Sequence, residues 1–261
     1  MSSGLEQGQE SAGPVLPEIA RERISRWKIP IVELITERFQ GTHFIGVGGS
    51  VLTDCFNSGS DIDVLVLYAS RESTHNNVLL RCPSCDDRLL DVNFMPYFRF
   101  VQLLDMAPHA QSAKFVDLVL GMIALKDELS VAGPLRNHAL RIRQAGPNKL
   151  TQTGVDFLRR TILSVLNDAR SGADARESRL SQIELVGLLM STTLQWRHSW
   201  SSTSLLWTYR SLKDLAQGDA FAHRLLNAVD SGEQTELLSM AEELLRNLGG
   251  VPDDGFAVRI S

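Results

Sequence analysis

At 261 residues, 43% apolar and 22% charged, the chain has enough apolar surface to bury a core in one large or two modest domains. No apolar run reaches the roughly 18 residues that span a bilayer, and no charged-then-apolar signal pattern opens the sequence, so no membrane partner is expected. The net charge of −5 and pI near 5.7 argue against general nucleic-acid binding, which needs a basic face, but allow one local basic pocket. Three cysteines, an odd number, do not make a disulfide framework and suit a reducing cytoplasm.

In chain order, the first 16 residues, MSSGLEQGQESAGPVL, carry no periodicity and read as a disordered leader. Helical periodicity begins near Pro17 and runs to about Phe39, with an interruption expected at Pro30. A short strand from Thr42 to Val47 leads into Gly48-Gly49-Ser50, and Ser50 to Phe56 suits a helix. After the turn Asn57-Ser58-Gly59-Ser60 comes a strand, Ile62 to Tyr68, apolar except for Asp63, as in strands covered on both faces. Val78 to Leu80 and Leu89 to Phe94 read as two more strands, joined by a polar turn at Cys82-Pro83-Ser84-Cys85, and Met122 to Lys126 as another. Beyond Gly146-Pro147 the spacing turns helical: Val155, Leu158, Ile162 and Val165; Ile183, Val186, Met190 and Leu194; then Leu237, Ala241, Leu244, Leu245 and Leu248 before a Gly249-Gly250 stop. The expected fold is α/β: the leader over 1–16, a small mixed sheet with flanking helices over 17–130, and an all-helical domain over 131–261.

The stretch Gly48 to Asp63, GGSVLTDCFNSGSDID, is the strongest chemical signal. Asp61 and Asp63 are two apart on a strand, so both side chains leave one face with Cα atoms about 6.5–7 Å apart. Two acids side by side among apolar residues repel each other and resist desolvation, and a cation relieves both costs. Magnesium takes a few carboxylates and completes its shell with water and phosphate oxygens. Asp91, in LLDVNF, sits on a neighbouring strand within reach of the same spot. Three carboxylates support two metals about 3.5–4 Å apart, one for a triphosphate and one for the attacking hydroxyl. Gly48 and Gly49 permit close backbone approach. Ser50, at the expected helix N-terminus, adds a hydroxyl and amides for the β- and γ-phosphates, and Ser60 another hydroxyl. Each piece alone is common as a turn or a solvated acid pair. The ordered set of strand, GGS, short helix, SDIDVLVL and LLDVNF reads as a nucleotidyltransferase site.

Val47-Gly48-Gly49-Ser50, ten further residues, Asp61-Ile62-Asp63-Val64 and then Asp91 resemble the signature of the DNA polymerase beta superfamily, in its small nucleotidyltransferase branch. The match covers roughly residues 42–95. The helical C-terminal region is similar in layout to bacterial aminoglycoside nucleotidyltransferases and their uncharacterised relatives, and the closing LGGVPDDGF resembles the tail of the latter. The resemblance implies that Asp61 and Asp63 ligate both metals, that Gly49 and Ser50 bind the triphosphate, and that Asp91 is a ligand and candidate base. By analogy with the second domains of such enzymes, Lys213 is the preferred phosphate contact, with Arg210 beside it. The implied reaction is attack of an acceptor hydroxyl on the α-phosphorus of an NTP, ATP being expected, with release of pyrophosphate. The acceptor is expected to be a small molecule, aminoglycoside-like if the layout guides. A protein side chain or a tRNA end as acceptor, and a nucleotide-binding regulator or antitoxin-like protein without turnover, stay open.

Cys82-x2-Cys85 invites a zinc reading, but only Cys55, His43 and His75 offer further ligands, so a tight hairpin turn is the better account. Trp196, Arg197, His198, Trp200, Trp207, Tyr209, Arg210 and Lys213 crowd one helical stretch, where aromatics either stack on a substrate ring or fill the core. Glu184 is expected to begin an apolar helix, as a surface or capping acid or as an auxiliary base. The polar side of Thr151 to Arg170, with Asp156, Arg159, Arg160, Asp168 and Arg170, reads as a solvated face. His109 and His138 receive no role.

Overall fold

The computed structural model describes residues 14, 16–69, 76–171, 174–202 and 204–251. Most of the expected leader, His75 and the tail from Pro252 onward lie outside them. The chain divides into two compact units, Met1–Ala107 with Lys114–Ala145, and Pro108–Ala113 with Gly146–Ser261.

In the first unit, helix α1 (Glu18–Arg38) buries Ala20, Ile24, Trp27, Ile31 and Ile35, a stripe at helical spacing that continues on both sides of Pro30. The expected interruption does not occur. Proline removes one backbone hydrogen bond, but the apolar stripe holds the helix through it against the sheet. Pro30→Ala should therefore raise stability by about 1–2 kcal/mol, the helix-interior penalty less the entropy that proline removes from the unfolded chain. Urea unfolding at unchanged slope reads this, and an unmoved midpoint would mean that the ring's packing offsets the lost bond.

The described strands form one five-stranded sheet in the order β3-β4-β2-β1-β5, with β1 Thr42–Gly48, β2 Ile62–Tyr68, β3 Asn76–Cys82, β4 Arg88–Pro96 and β5 Ile123–Asp127. β2 and β4 run parallel and the remaining neighbours antiparallel, so the sheet is mixed as expected. β3 and β4 extend beyond the expected strands because pairing, not hydrophobicity, sets their ends. One face, with Ile45, Val47, Ile62, Val64, Val66, Leu90 and Val92, packs on α1. The other meets helix α3 (Lys114–Gly121), which follows α2 (Tyr97–Ala110) and packs on α4 (Ala132–Ala145).

The expected helix from Ser50 to Phe56 is instead a single 3-10 turn, Gly49–Leu52, followed by a loop to Asp61. Thr53 is extended, at φ −126 and ψ 172, so no α-helix runs through it, and the Ser50 carbonyl accepts from both its amide and its hydroxyl at 2.9 Å, closing the turn. Phe56 anchors the loop. It meets Trp27 edge-on, and the guanidinium groups of Arg23 and Arg88 lie 4.5 and 4.9 Å from its ring centre. Arg23 also donates to the Val51 carbonyl at 2.6 Å and Arg88 to the Asn57 carbonyl at 2.9 Å.

The second unit packs α5 (Gln152–Ser171), α6 (Ala175–Trp196), α7 (Leu205–Leu215), α8 (Ala220–Ser231) and α9 (Gln234–Asn247) around a core that includes Ile162, Leu166, Leu189, Leu225 and Leu244. Asp174 caps α6 through the amides of Arg176 and Glu177. Glu184 is therefore not at a helix start but exposed in the helix interior. Trp196 to Lys213 is likewise not one helix, since α6 ends at Trp196 and α7 begins at Leu205. The polar side of α5 is not uniformly solvated. Asp156 and Arg159 pair at 3.1 Å with side chains only 13% exposed, and Arg159 donates to the carbonyls of Gly249 and Gly250, fixing the end of α9. No helix among the described residues is long and apolar enough to cross a membrane.

Candidate active site

Strand register brings the sequence motif together in the first unit. Gly48 at the end of β1 pairs with Asp63 on β2, and Asp63 pairs with Asp91 on β4. Residues opposed in neighbouring strands share a face about 4.8 Å apart, so the two carboxylates sit side by side. Asp61 lies two residues before Asp63 on the same side, exposed where the loop enters β2. Asp61 is exposed, Asp63 and Asp91 are half-buried, and none of the three makes an ion pair among the described residues.

Gly49 is fitted to this arrangement. A Cβ placed there would lie 1.8 Å from Asp63 Oδ2, so the carboxylate rests directly on the glycine backbone. Burial, followed by the charges of Asp61 and Asp91, raises the Asp63 pKa to about 6, while Lys114 pulls it down. An acid held this way gains from any cation that joins it.

Asp91 Oδ1 accepts from Asn77 Nδ2 at 2.9 Å, and the same amide reaches Asn93 Oδ1 at 3.4 Å. Asn77 opposes Asn93 across the β3–β4 pair, and Asn93 is two residues beyond Asp91, so these residues extend the polar face that Asp63 begins. Sequence reasoning missed Asn77 and Lys114. Asn93 carried a signal, standing at i+2 from Asp91 in LLDVNF, whereas Asn77 becomes visible only through register.

Ser50 and Ser60 lie at the two ends of the loop between Gly49 and Asp61, and Arg210 and Lys213 belong to the second unit. Ser50 is partly buried in the 3-10 turn, with no extended helix behind it. Ser60 Oγ accepts from the Asn57 amide at 3.2 Å and closes the turn before Asp61. Lys213 and Arg210 are on α7 of the second unit, so the group the first unit builds does not include them; Lys213 is exposed and Arg210 stacks on Trp207 at 4.5 Å. Two other residues of that stretch have local partners: Arg197 pairs with Asp219 at 2.7 Å, and Tyr209 donates to Asp230 at 3.0 Å. His138 pairs with Asp105 at 2.8 Å and His43 with Glu128 at 3.2 Å. Cys82 and Cys85 flank the turn between β3 and β4, their sulfurs 2.7 Å apart and buried, and burial pushes the Cys85 thiol up.

Among the described residues no three His, Cys, Asp or Glu side chains converge as a ready-made metal cage. The donor chemistry nonetheless fits a hard dication that keeps part of its shell for water and phosphate: carboxylates only, one of them desolvated and repelled by two neighbours.

No protein-family model and no curated protein matches the chain. Among solved structures it is similar to a nucleotidyltransferase-like protein from Exiguobacterium sibiricum, at 11% identity and a TM-score of 0.48, over 84% of this chain and 74% of that one. A likeness at that level leaves the chemistry to be read from the site.

Proposed function

We propose that the chain is a nucleotidyltransferase that moves a nucleoside monophosphate, AMP from ATP, onto a hydroxyl of a small-molecule acceptor. The observation that carries this reading is the placement of the Asp63 carboxylate on Gly49 with Asp91 beside it in register, which joins a phosphate-approachable turn to an acid pair. The acceptor oxygen forms a bond to the α-phosphorus, the bond from that phosphorus to the β-bridging oxygen breaks, and pyrophosphate leaves. Asp91, with Oδ1 held by Asn77, takes the acceptor proton through its other oxygen. Gly48, Gly49 and Ser50 admit the triphosphate close to the backbone. Asp61, Asp63 and Asp91 would hold two magnesium ions, which when bound neutralise the charge that develops on the phosphates.

The test is pyrophosphate release from each of the four NTPs with magnesium, against a panel of aminoglycosides, bulk tRNA and a cell extract, with Asp61→Asn as control. Release that needs both an acceptor and Asp61 supports the transferase and names its substrates. Nucleotide binding without release from any acceptor would move the weight to a regulator. Within this reading, Asn77→Ala should lower turnover about 10–100-fold with little change in ATP affinity, the usual loss when a group orienting a metal-site carboxylate is removed. An unchanged rate would mean that Asp91 needs no such support.

A further inference from the structure

Helix α3 runs antiparallel to β1 across the sheet face that carries the acids, and its contacts place its N-terminal end. A Cβ on Gly46 would lie 2.8 Å from Met122 Sδ, and one on Gly48 would lie 2.5 Å from Leu118 Cδ1. Stepping two residues along β1 advances about 6.6 Å, and stepping four residues back along α3 advances about 6 Å, so the two rows keep pace. One turn back from Leu118 is Lys114, which lies beyond Gly48, the last residue of β1, where the chain leaves the sheet for the Gly49–Leu52 turn. Lys114 therefore stands past the end of β1 on the face that carries Asp63, near enough for its charge to act on that carboxylate.

The side chain is exposed and makes no ion pair among the described residues; its ammonium lies 5.6 Å from the centre of the adjacent Phe115 ring. Arg23 and Arg88, the cations that touch the loop from Gly49 to Asp61, are already engaged with its carbonyls and with Phe56. Resting on the nucleotidyl-transfer reading, we infer that Lys114 is the first unit's own contact to the β- and γ-phosphates of the bound nucleotide. The GGS turn supplies backbone but no positive charge, and a triphosphate entering beside three carboxylates needs a cation on its far side. An exposed ammonium one helical turn from Leu118 meets that need.

The experiment is calorimetric titration of the full chain with ATP and with AMP, each with magnesium, in wild type, Lys114→Met and Lys114→Arg. Lys114→Met should weaken ATP by about 10–100-fold, the worth of one charge-assisted contact, and leave AMP unchanged; Lys114→Arg should recover most of the loss. Melting temperatures of the variants should match wild type, because the residue is exposed. If ATP binds wild type and Lys114→Met alike, or if the substitution weakens ATP and AMP equally, Lys114 is not the phosphate contact and the transferase reading survives. If the wild-type chain binds neither nucleotide, both fall together.

Discussion

Asp63→Asn should abolish transfer while making the folded chain more stable at neutral pH. The first effect follows from position: Asp63 lies between Gly48 and Asp91 in register and presses on Gly49, so no other carboxylate in the first unit's motif can stand in for it. Loss of one preorganised electrostatic group of this kind costs at least about 10²–10³-fold in rate. The second follows from linkage. The Asp63 pKa is raised to about 6 in the fold from an unfolded value near 3.8, through burial first and then the charges of Asp61 and Asp91. Between those values the folded state holds the proton that the unfolded state has released, so stability falls as pH rises through that window and stays lowered above it. Asparagine has no proton to lose. The melting temperatures of wild type and Asp63→Asn should agree near pH 3, below the unfolded pKa, and separate by pH 7.5, the variant being higher by the equivalent of about 2–3 kcal/mol. Magnesium should close that gap by raising wild type alone. A variant that melts lower at every pH would make Asp63 a structural residue.

The sheet and the helical region were legible because hydrophobic periodicity reports burial directly. Ile62 to Tyr68 reads as a doubly covered strand and is one, and the three stripes of apolar residues beyond Gly146 became α5, α6 and α9. What failed was local backbone conformation. Proline's propensity alone predicts a break at Pro30, and the packing of Trp27 and Ile31 on either side overrides it. The composition of Ser50 to Phe56 allows a helix, and the extended backbone at Thr53 excludes it. At the site, the motif named residues joined by short spacing, Gly49, Asp61 and Asp63. It did not name partners supplied by register or helix packing, and Asn77 and Lys114 lie 14 and 23 residues from Asp91 in sequence. Arg210 and Lys213 rest on analogy alone, with no local sequence pattern that ties them to the acids.

Gly49→Ala tests whether the glycine serves the turn or the carboxylate. The φ of +79 strains any L side chain, a cost of about 1–3 kcal/mol wherever the methyl points. The methyl would also occupy the place of Asp63 Oδ2, 1.8 Å away, so the carboxylate must rotate off its seat. Gly48→Ala makes the contrast. Its φ of −140 is ordinary, and its added methyl meets Leu118 Cδ1 at 2.5 Å, the end of a side chain with rotamers to spare. Both variants should fold, Gly48→Ala with the smaller loss of stability. Turnover should collapse in Gly49→Ala and fall less in Gly48→Ala. The Asp63→Ala background separates the two costs of Gly49→Ala, because with no carboxylate to displace only the backbone strain is left. Urea unfolding of the four proteins in that cycle should give a coupling of about 0.5–3 kcal/mol between positions 49 and 63. Zero coupling would mean that Asp63 moves aside without cost and that the glycine is there for the turn alone.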